Sequence, residues 1–271
     1  MAYKTILVHV DRTAQATGCV QAAAALALAH QAHLVGSAMT GISRFAYVDH
    51  GILFEKEIQA LTDRAEEALN HFEEICRQQG ITSYEKRLIH DEAATGLTLQ
   101  TPYADLVVVE QTVESIHLVS DLAEYVMLHA ARPVLVVPTG GPTDVTGGSA
   151  VLAWNGTPEA VRAASFALPL LKRASNVTVA LFQPADAVDA QQVQPGADVS
   201  LWLARHGVRV DLVHDRSGRH ADDGLLALAA EKGARLIVMG GYGHARSREA
   251  LLGGVTLKVL QRTGVPLLIA H

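Results

Sequence analysis

The stretch "ARLIVMGGYGHARSREALLGGVTLKVL", Ala234–Leu260, begins with a short apolar run and continues into a glycine-rich loop. A closely similar run, "ADLVVV", occurs at Ala104–Val109. Short apolar runs rich in Val, Ile and Leu are typical of strands buried on both faces of a parallel sheet. The two runs therefore predict a buried strand that occurs once in each half of the chain.

Ten apolar runs of this kind occur along the chain. They are Thr5–Val10, Leu34–Met39, Tyr84–Ile89, Leu106–Val109, Val134–Val137, Ala150–Trp154, Val177–Phe182, Val208–Val213, Leu236–Met239 and Pro266–Ile269. The segments between these runs have the residue spacing of helices. In one of them, "TPEAVRAASFALPLLKRA", we expect Thr157 as N-cap and Pro158 as the first helical residue. Strands joined by helical crossovers are parallel. The fold class is therefore α/β: two tandem doubly wound, Rossmann-like domains, each a five-stranded parallel sheet with helices on both faces.

The two halves also correspond residue by residue. Asp11 after the first strand corresponds to Asn155, "LIHD" at 88–91 to "LVHD" at 212–215, and "RPVLVVP" at 132–138 to "VPLLIAH" at 265–271. Such internal repetition indicates two tandem copies of one structural unit. The segment "PTGGPTDVTGGS", Pro138–Ser149, has a linker composition. We expect a first domain over 1–140 and a second over 148–271.

Composition excludes several classes of protein. The chain has 271 residues, a formal net charge of -6 and a pI of about 6.1, which argues against a general nucleic-acid or anionic-membrane binder. Cys19 and Cys76 are the two cysteines, and they have neither a metal-ligand nor a CxxC spacing. No signal-peptide pattern or membrane-spanning run is evident. We expect a cytoplasmic protein with neither nucleic-acid nor membrane partners.

Doubly wound sheets bind ligands beyond the carboxyl ends of their strands, where the strand order reverses. Asn155 and the glycine-rich loop are expected to face each other there. The loop has the pattern G-x2-G-x9-G-G-V-T, which is neither the dinucleotide nor the P-loop motif. Its glycines, Gly240, Gly243, Gly253 and Gly254, would expose backbone N–H groups to an anion at a helix N-terminus. Thr256 could add a hydroxyl, and His244, Arg246 and Arg248 would add positive charge.

Over nearly its full length the chain resembles a tandem universal stress protein, a family with a G-x2-G-x9-G-[ST] loop after strand four. The resemblance implies an adenine nucleotide alpha hydrolase-like fold and a stress-responsive regulatory protein. It also implies that the second domain binds ATP or another adenine nucleotide, which Mg²⁺ could accompany. Carried over position by position, the resemblance and the loop motif give the site residues Asn155, Leu181, Phe182, Gly240, Gly243, Gly253, Gly254, Val255 and Thr256.

Two departures from the family pattern affect this expectation. Gly254 stands where the family has Ser or Thr, and Asn155 stands where it has aspartate; an amide offers both donor and acceptor atoms. The first domain departs further, because its loop "EQTVESIHLVSDLAE" contains no glycine. Its crevice carries the acids Asp11, Glu110, Glu114, Asp121 and Glu124, which would repel a polyphosphate. We therefore expect the first domain to bind no ATP and to act as a structural partner.

Other features favour structural interpretations. "HDRSGRHADD", His214–Asp223, could hold a metal ion, but its spacing favours Asp222 or Asp223 as a helix cap. Arg216, Arg219 or His220 of this segment could approach a nucleotide. No catalytic constellation is evident, so we assign no catalytic residues. Slow ATP hydrolysis is the most we expect, and a nucleotide-independent interaction protein remains an alternative.

Two further segments concern packing and assembly. Phe45–Gly80 is longer than its counterpart, with Ile58, Leu61, Ala65, Leu69 and Phe72 at helical spacing. It predicts a long helix over the sheet, with a partner-binding helix as the alternative. "PVLVV" and "PLLIA" would be apolar edge strands. In proteins that the chain resembles such strands pair between domains, which implies an intramolecular pseudo-dimer and a possible homodimer.

Overall fold

The computed structural model describes residues 2–42, 55–111, 122–182, 196–242 and 254–271. Contacts between Cα atoms divide the chain into two compact units, Ala2–Thr143 and Asp144–His271. These are named the first unit and the second unit. None of the described helices is both long enough and apolar enough to span a bilayer.

The first unit alternates strands and helices along the chain. Its strand order is β3-β2-β1-β4-β5, and every pair is parallel. The elements are β1 (Thr5–His9), α1 (Ala14–His30), β2 (His33–Met39), α2 (Glu55–Gln78), β3 (Tyr84–Ile89), α3 (Ala93–Thr98), β4 (Leu106–Glu110), α4 (Leu122–His129) and β5 (Val134–Val137).

The second unit repeats this arrangement. Its strand order is β10-β9-β6-β7-β8, again with parallel pairs throughout. The elements are β6 (Ser149–Ala153), α5 (Pro158–Leu171), β7 (Asn176–Phe182), α6 (Ala197–Arg205), β8 (Val210–Asp215), α7 (Ala221–Glu231), β9 (Ala234–Gly240), α8 (Val255–Arg262) and β10 (Leu267–Ala270). All ten predicted strands are present, and the predicted α/β fold class is confirmed.

Helices cover both faces of each sheet. Neighbouring residues of a strand face opposite sides. In β2, a Cβ atom on Gly36 would lie 2.7 Å from the Phe72 ring of α2, while Ser37 accepts a hydrogen bond of 2.8 Å from Gln100, which follows α3. The central strands are buried on both sides, and the apolar residues of β1 and β4 are almost fully inaccessible to solvent. Burial on both faces explains why these strands are continuous apolar runs.

Helix α2 confirms the prediction of a long helix over the sheet. Ala65, Leu69 and Phe72 are buried, and the helix contacts β2 and β3. Ile58 and Leu61, nearer its N-terminus, are only half-buried. The predicted segment begins at Phe45, and its residues up to 54 lie outside the described part of the chain. The covering role therefore belongs mainly to the second half of α2.

Helix α5 begins as the sequence predicts, whereas α7 does not. Thr157 is the N-cap of α5, its Oγ1 accepts from the Ala160 N–H at 3.4 Å, and Pro158 is the first helical residue. Helix α7 begins at Ala221 after the N-cap residue His220, whose side chain makes no capping bond. The prediction that Asp222 or Asp223 caps α7 is therefore wrong. Both acids lie in the first turn and pair with cations on α8.

The "LIHD" and "LVHD" segments do not occupy the same register. Met39, the last residue of β2, pairs with Ile89, whereas Phe182, the last residue of β7, pairs with Asp215. By sequence Ile89 would correspond to Val213, two residues earlier. Strands β3 and β8 each pair with one neighbour in their own unit, which leaves their register less constrained than that of a central strand.

Candidate functional site

Asn155 lies in the loop between β6 and α5 and holds that loop to the helix. Its Oδ1 accepts from the N–H of Thr157 at 3.2 Å and from Thr157 Oγ1 at 2.9 Å. Among the described residues, no acceptor binds its Nδ2, and the residue is exposed. The side-chain oxygen of Asn155 thus bonds within the loop, and the two N–H groups on Nδ2 remain as donors for a ligand.

Gly240 ends β9 and packs against the first turn of α5. A Cβ atom at this position would lie 2.5 Å from the Ala160 nitrogen and 2.7 Å from the Glu159 carbonyl carbon. Both are backbone atoms, which cannot move aside as the end of a flexible side chain can. The close approach of the α5 backbone therefore explains why residue 240 is a glycine. The sequence alone does not distinguish this packing role from a role in ligand binding.

Tyr242 joins the end of β9 to α8. Its backbone has a left-handed φ of 54°, which is uncommon for a residue other than glycine. Its N–H donates to Thr256 Oγ1 at 3.2 Å, and Thr256 is buried in the first turn of α8. Thr256 Oγ1 therefore already accepts a hydrogen bond from Tyr242. Its O–H group can still donate a hydrogen bond to an anion. Sequence reasoning missed Tyr242 because nothing in its residue type indicates this backbone conformation.

Gly254 is the N-cap of α8, and it has no side chain with which to cap the helix. Its φ of −70° and ψ of 166° are accessible to any residue, so conformation alone does not require glycine here. The first N–H groups of any α-helix lack intrahelical acceptors, and the helix dipole makes this end attractive to anions. Val255, the first helical residue, is 38% exposed. The start of α8 thus has the chemistry of an anion-binding terminus.

Leu181 and Phe182 end β7, and their side chains pack into the second unit. A Cβ atom on Gly196, next to α6, would lie 2.7 Å from Leu181, and one on Gly224 of α7 would lie 2.7 Å from the Phe182 ring. The side chains therefore serve packing, and the backbone is the part that the resemblance assigns to adenosine. Gly224 has a counterpart in Gly96 of α3, where a Cβ atom would lie 2.9 Å from Met39.

The loop after β8 carries exposed basic residues, among them Arg219, which pairs with Asp215. Arg219 Nη2 lies 3.1 Å from Asp215 Oδ2, and the N–H of Ser217 donates to Asp215 Oδ1 at 2.8 Å. Hydrogen bonds from Ser217, followed by Arg219, lower the pKa of Asp215. Arg216 and His220 are exposed. In the described part of the chain, no group of three or more His, Cys, Asp or Glu residues is arranged to hold a metal ion.

The first unit places a carboxylate at the corresponding strand end. Glu110 corresponds to Gly240, since the next residue of each unit, Gln111 or Gly241, donates its N–H to the last strand of that unit. Thr13, the N-cap of α1, donates from Oγ1 to Glu110 Oε2 at 3.0 Å. The crevice of the first unit therefore contains a carboxylate beside a helix N-terminus.

Asp11, His9 and two residues of α4 lie near the same edge of the first unit. Asp11 Oδ1 accepts from the Arg12 N–H at 2.6 Å and lies 3.8 Å from Arg64 Nη2. His9 ends β1, is 7% exposed, and its Nδ1 has no partner among the described residues. Burial lowers the pKa of His9, and Asp11 opposes this shift. Ala123 and Glu124 lie in α4, while Glu114 and Asp121 lie outside the described residues.

The family model for "Universal stress protein family" matches the chain twice, over residues 2–138 and 149–271. The chain belongs to the universal stress protein family. The double match confirms the tandem organisation predicted from the sequence. No curated protein sequence matches this universal stress protein.

Solved structures show the same fold over the whole chain. A universal stress protein from Archaeoglobus fulgidus DSM 4304 has 15% identity and a TM-score of 0.74, covering 98% of this chain and 95% of that one. A functionally unknown protein from Pseudomonas aeruginosa PAO1 has 17% identity and a TM-score of 0.64, covering 99% and 92%. These likenesses establish the fold.

A third structure is shorter. The universal stress protein from Archaeoglobus fulgidus in complex with dAMP has 21% identity and a TM-score of 0.38, covering 50% of this chain and 98% of that one.

In this universal stress protein, contacts link several of the predicted site residues. Asn155 binds Thr157 at the start of α5, Gly240 packs on the same turn, and Tyr242 links the strand to Thr256 beside Gly254. Gly243 and Gly253 lie outside the described residues, as do His244, Arg246 and Arg248. A role of any of these residues in binding stays a prediction.

Proposed function

We propose that this universal stress protein binds an adenine nucleotide, ATP or a related one, in its second unit and acts as a stress-responsive regulatory protein. The observation that carries the proposal is the start of α8, where Gly254 leaves the first helical turn without a side-chain cap. Backbone N–H groups at such a terminus bind phosphate without requiring a positive side chain.

The surroundings of α8 support this choice of unit. Strands β6 and β9 are parallel neighbours, so the loops that follow them meet at the same edge of the sheet. Gly240 contributes no carboxylate there, whereas Glu110 of the first unit does. The residue that ends β9 therefore adds no repulsion towards an anionic ligand, in contrast to Glu110.

Each part of the nucleotide has an expected partner. The N–H groups of Val255 and its neighbours would hold phosphate, with Gly240, Gly243 and Gly253 completing the loop and Thr256 donating its O–H. The backbone of Leu181 and Phe182 would contact adenosine, and Asn155 would offer its Nδ2 donors. A Mg²⁺ ion would arrive with the nucleotide and be held mainly by its phosphates, because the described residues contain no cluster suited to a metal ion.

A nucleotide-independent interaction protein is the second candidate function. Three predicted site residues have structural roles that require no ligand: Asn155 at the start of α5, Gly240 in close packing, and Thr256 as an acceptor. A weak ATPase would additionally need a group that activates water, and no residue here is assigned that role.

The cytoplasmic location and the intramolecular pseudo-dimer stay predictions. A homodimer also stays a prediction, and light scattering would measure it.

Thermal melting with ATP, ADP and AMP tests the proposed function. A ligand at ~100 times its dissociation constant stabilises a protein by about 2.7 kcal/mol, which raises the melting temperature measurably. Gly243→Val should abolish the shift by blocking close approach to the loop. Gly264→Ala is a matched control, since a Cβ atom there meets nothing within 4 Å and the backbone is not left-handed.

The results separate the candidates. A nucleotide-dependent shift that Gly243→Val removes and Gly264→Ala retains supports nucleotide binding. If no nucleotide shifts the melting temperature of the wild-type protein at millimolar concentration, the proposal is rejected in favour of the interaction protein. Turnover of ATP that Gly243→Val abolishes would favour the ATPase.

A further inference from the structure

Asp222 is a buried carboxylate that connects α7 to α8. It is 3% exposed, and its Oδ2 lies 3.6 Å from Lys258 Nζ and 3.4 Å from Arg262 Nη1. Both cations are about half exposed, at 47% and 53%. The neighbouring Asp223 is 52% exposed and reaches the same Arg262 nitrogen at 2.8 Å. A buried carboxylate is strongly dependent on its partners, whereas an exposed one is hydrated by water.

The contacts of Asp222 are made to the helix whose first turn is the proposed phosphate site. Helix α8 has eight residues, about two turns, and so short a helix owes its position to tertiary contacts more than to its own stability. Thr256 fixes its first turn to the end of β9 through Tyr242. Lys258 and Arg262 fix its later turns to α7. Together the two sets of contacts define the direction in which the N-terminus points.

The first unit has different residues at all of these positions. Gly96 and Gly224 correspond, because each packs under the last side chain of the second strand in its unit, and Ala94 therefore stands where Asp222 does. Helices α4 and α8 have equal length and lie the same distance before the next strand. Tyr125 and His129 thus replace Lys258 and Arg262, and their rings stack at 4.2 Å. Ala123 replaces Thr256.

The polar contacts that fix α8 thus occur in the unit with the glycine-rich loop, and the corresponding positions of the other unit carry different residues. We propose that Asp222 is a positioning residue, which holds α8 in the orientation that directs its first-turn N–H groups at the ligand. This inference rests on the proposed function, since it concerns the same site. Asp222 acts through Lys258 and Arg262 and makes no contact with the nucleotide itself.

Two measurements on three variants test this role. Asp222→Asn removes the buried charge, Asp223→Asn is the matched control in the same helical turn, and Asp222→Glu restores a carboxylate. Titration calorimetry with ATP should show an affinity about tenfold weaker in Asp222→Asn and changed less than about twofold in Asp223→Asn, with Asp222→Glu recovering most of the loss. Hydrogen exchange without nucleotide should be faster at the first-turn amides of α8 in Asp222→Asn alone.

Each outcome decides a separate question. Unchanged affinity and exchange in a folded Asp222→Asn protein overturn the positioning role and leave nucleotide binding intact. If the wild-type protein binds no nucleotide, the proposed function fails, and the exchange rates alone decide whether Asp222 positions α8. If Asp222→Asn does not fold, Lys258→Gln and Arg262→Gln remove the same contacts from the exposed side. The two changes combined must then accelerate exchange in α8 and weaken ATP binding, or the proposal is overturned.

Discussion

The last residue of the fourth strand differs in charge and size between the two units. In the first unit Glu110 lies there and accepts a hydrogen bond from Thr13 at the start of α1. In the second unit Gly240 lies there, and the first turn of α5 packs directly on the backbone. The backbone hydrogen bonds that follow are the same in both. A repeated fold can therefore keep its strand ends while changing the charge beside them.

The largest expected effect comes from Gly240→Glu, which gives the second unit the residue of the first. The new Cβ atom would overlap backbone atoms of α5, so we expect a loss of about 3 kcal/mol in the free energy of unfolding. Chemical denaturation followed by the fluorescence of Trp154 and Trp202, both in the second unit, measures it. A loss no greater than that of Gly264→Ala would show that α5 can move aside.

A smaller difference is expected between Thr13→Ala and Thr157→Ala. Each change removes an N-cap, which costs about 1 kcal/mol. Thr13 also donates to a carboxylate, whereas Thr157 donates to the neutral amide of Asn155. Because hydrogen bonds to charged groups are stronger, we expect about 2 kcal/mol for Thr13→Ala. Equal losses in urea unfolding would mean that the contact between Thr13 and Glu110 contributes little.

Acid should destabilise the first unit through His9, for which the second unit has Ala153 at the end of β6. Burial lowers the pKa of His9 in the folded protein below its usual value of about 6.5. Below pH ~6.5 the unfolded chain therefore binds more protons, and stability falls with decreasing pH, by at most about 1.4 kcal/mol per pH unit, down to the folded pKa.

Unfolding of the wild-type protein, followed by circular dichroism between pH 7 and pH 5, should show this loss of stability. His9→Met introduces an apolar side chain of similar size that has no titrating group. Its unfolding should depend less on pH in this range. Identical pH profiles for the two proteins would exclude His9 as the source of acid sensitivity.

The smallest expected effect is a gain from Asn155→Asp, which gives the second unit the residue that the first has at Asp11. A carboxylate would accept the same two bonds from Thr157 near the N-terminus of α5, adding about 0.5 kcal/mol at pH 7. The gain should disappear as the carboxylate is protonated in acid. Lower stability at pH 7 would show that repulsion from Glu159 outweighs the interaction with the helix.

The sequence predicted the strands well because each is a continuous apolar run buried on both faces. It also predicted Thr157 and Pro158 at the start of α5, since capping is local chemistry. It could not predict that Asp222 pairs with α8, because that contact depends on how two helices pack. For the same reason the sequence could not predict that Gly240 packs on the backbone of α5, or that Gly224 packs on the ring of Phe182.

The two cysteines of the chain, Cys19 and Cys76, are both buried in the first unit. Burial raises the pKa of the Cys19 thiol, with a further contribution from Glu110, and raises that of Cys76 to about 11, with a contribution from Glu73. Neither is a reactive thiolate at neutral pH, so alkylating reagents should modify them only after the surrounding structure opens. The rate of thiol labelling under native conditions therefore measures how often the first unit opens. This measurement is independent of the tryptophan fluorescence, which reports on the second unit.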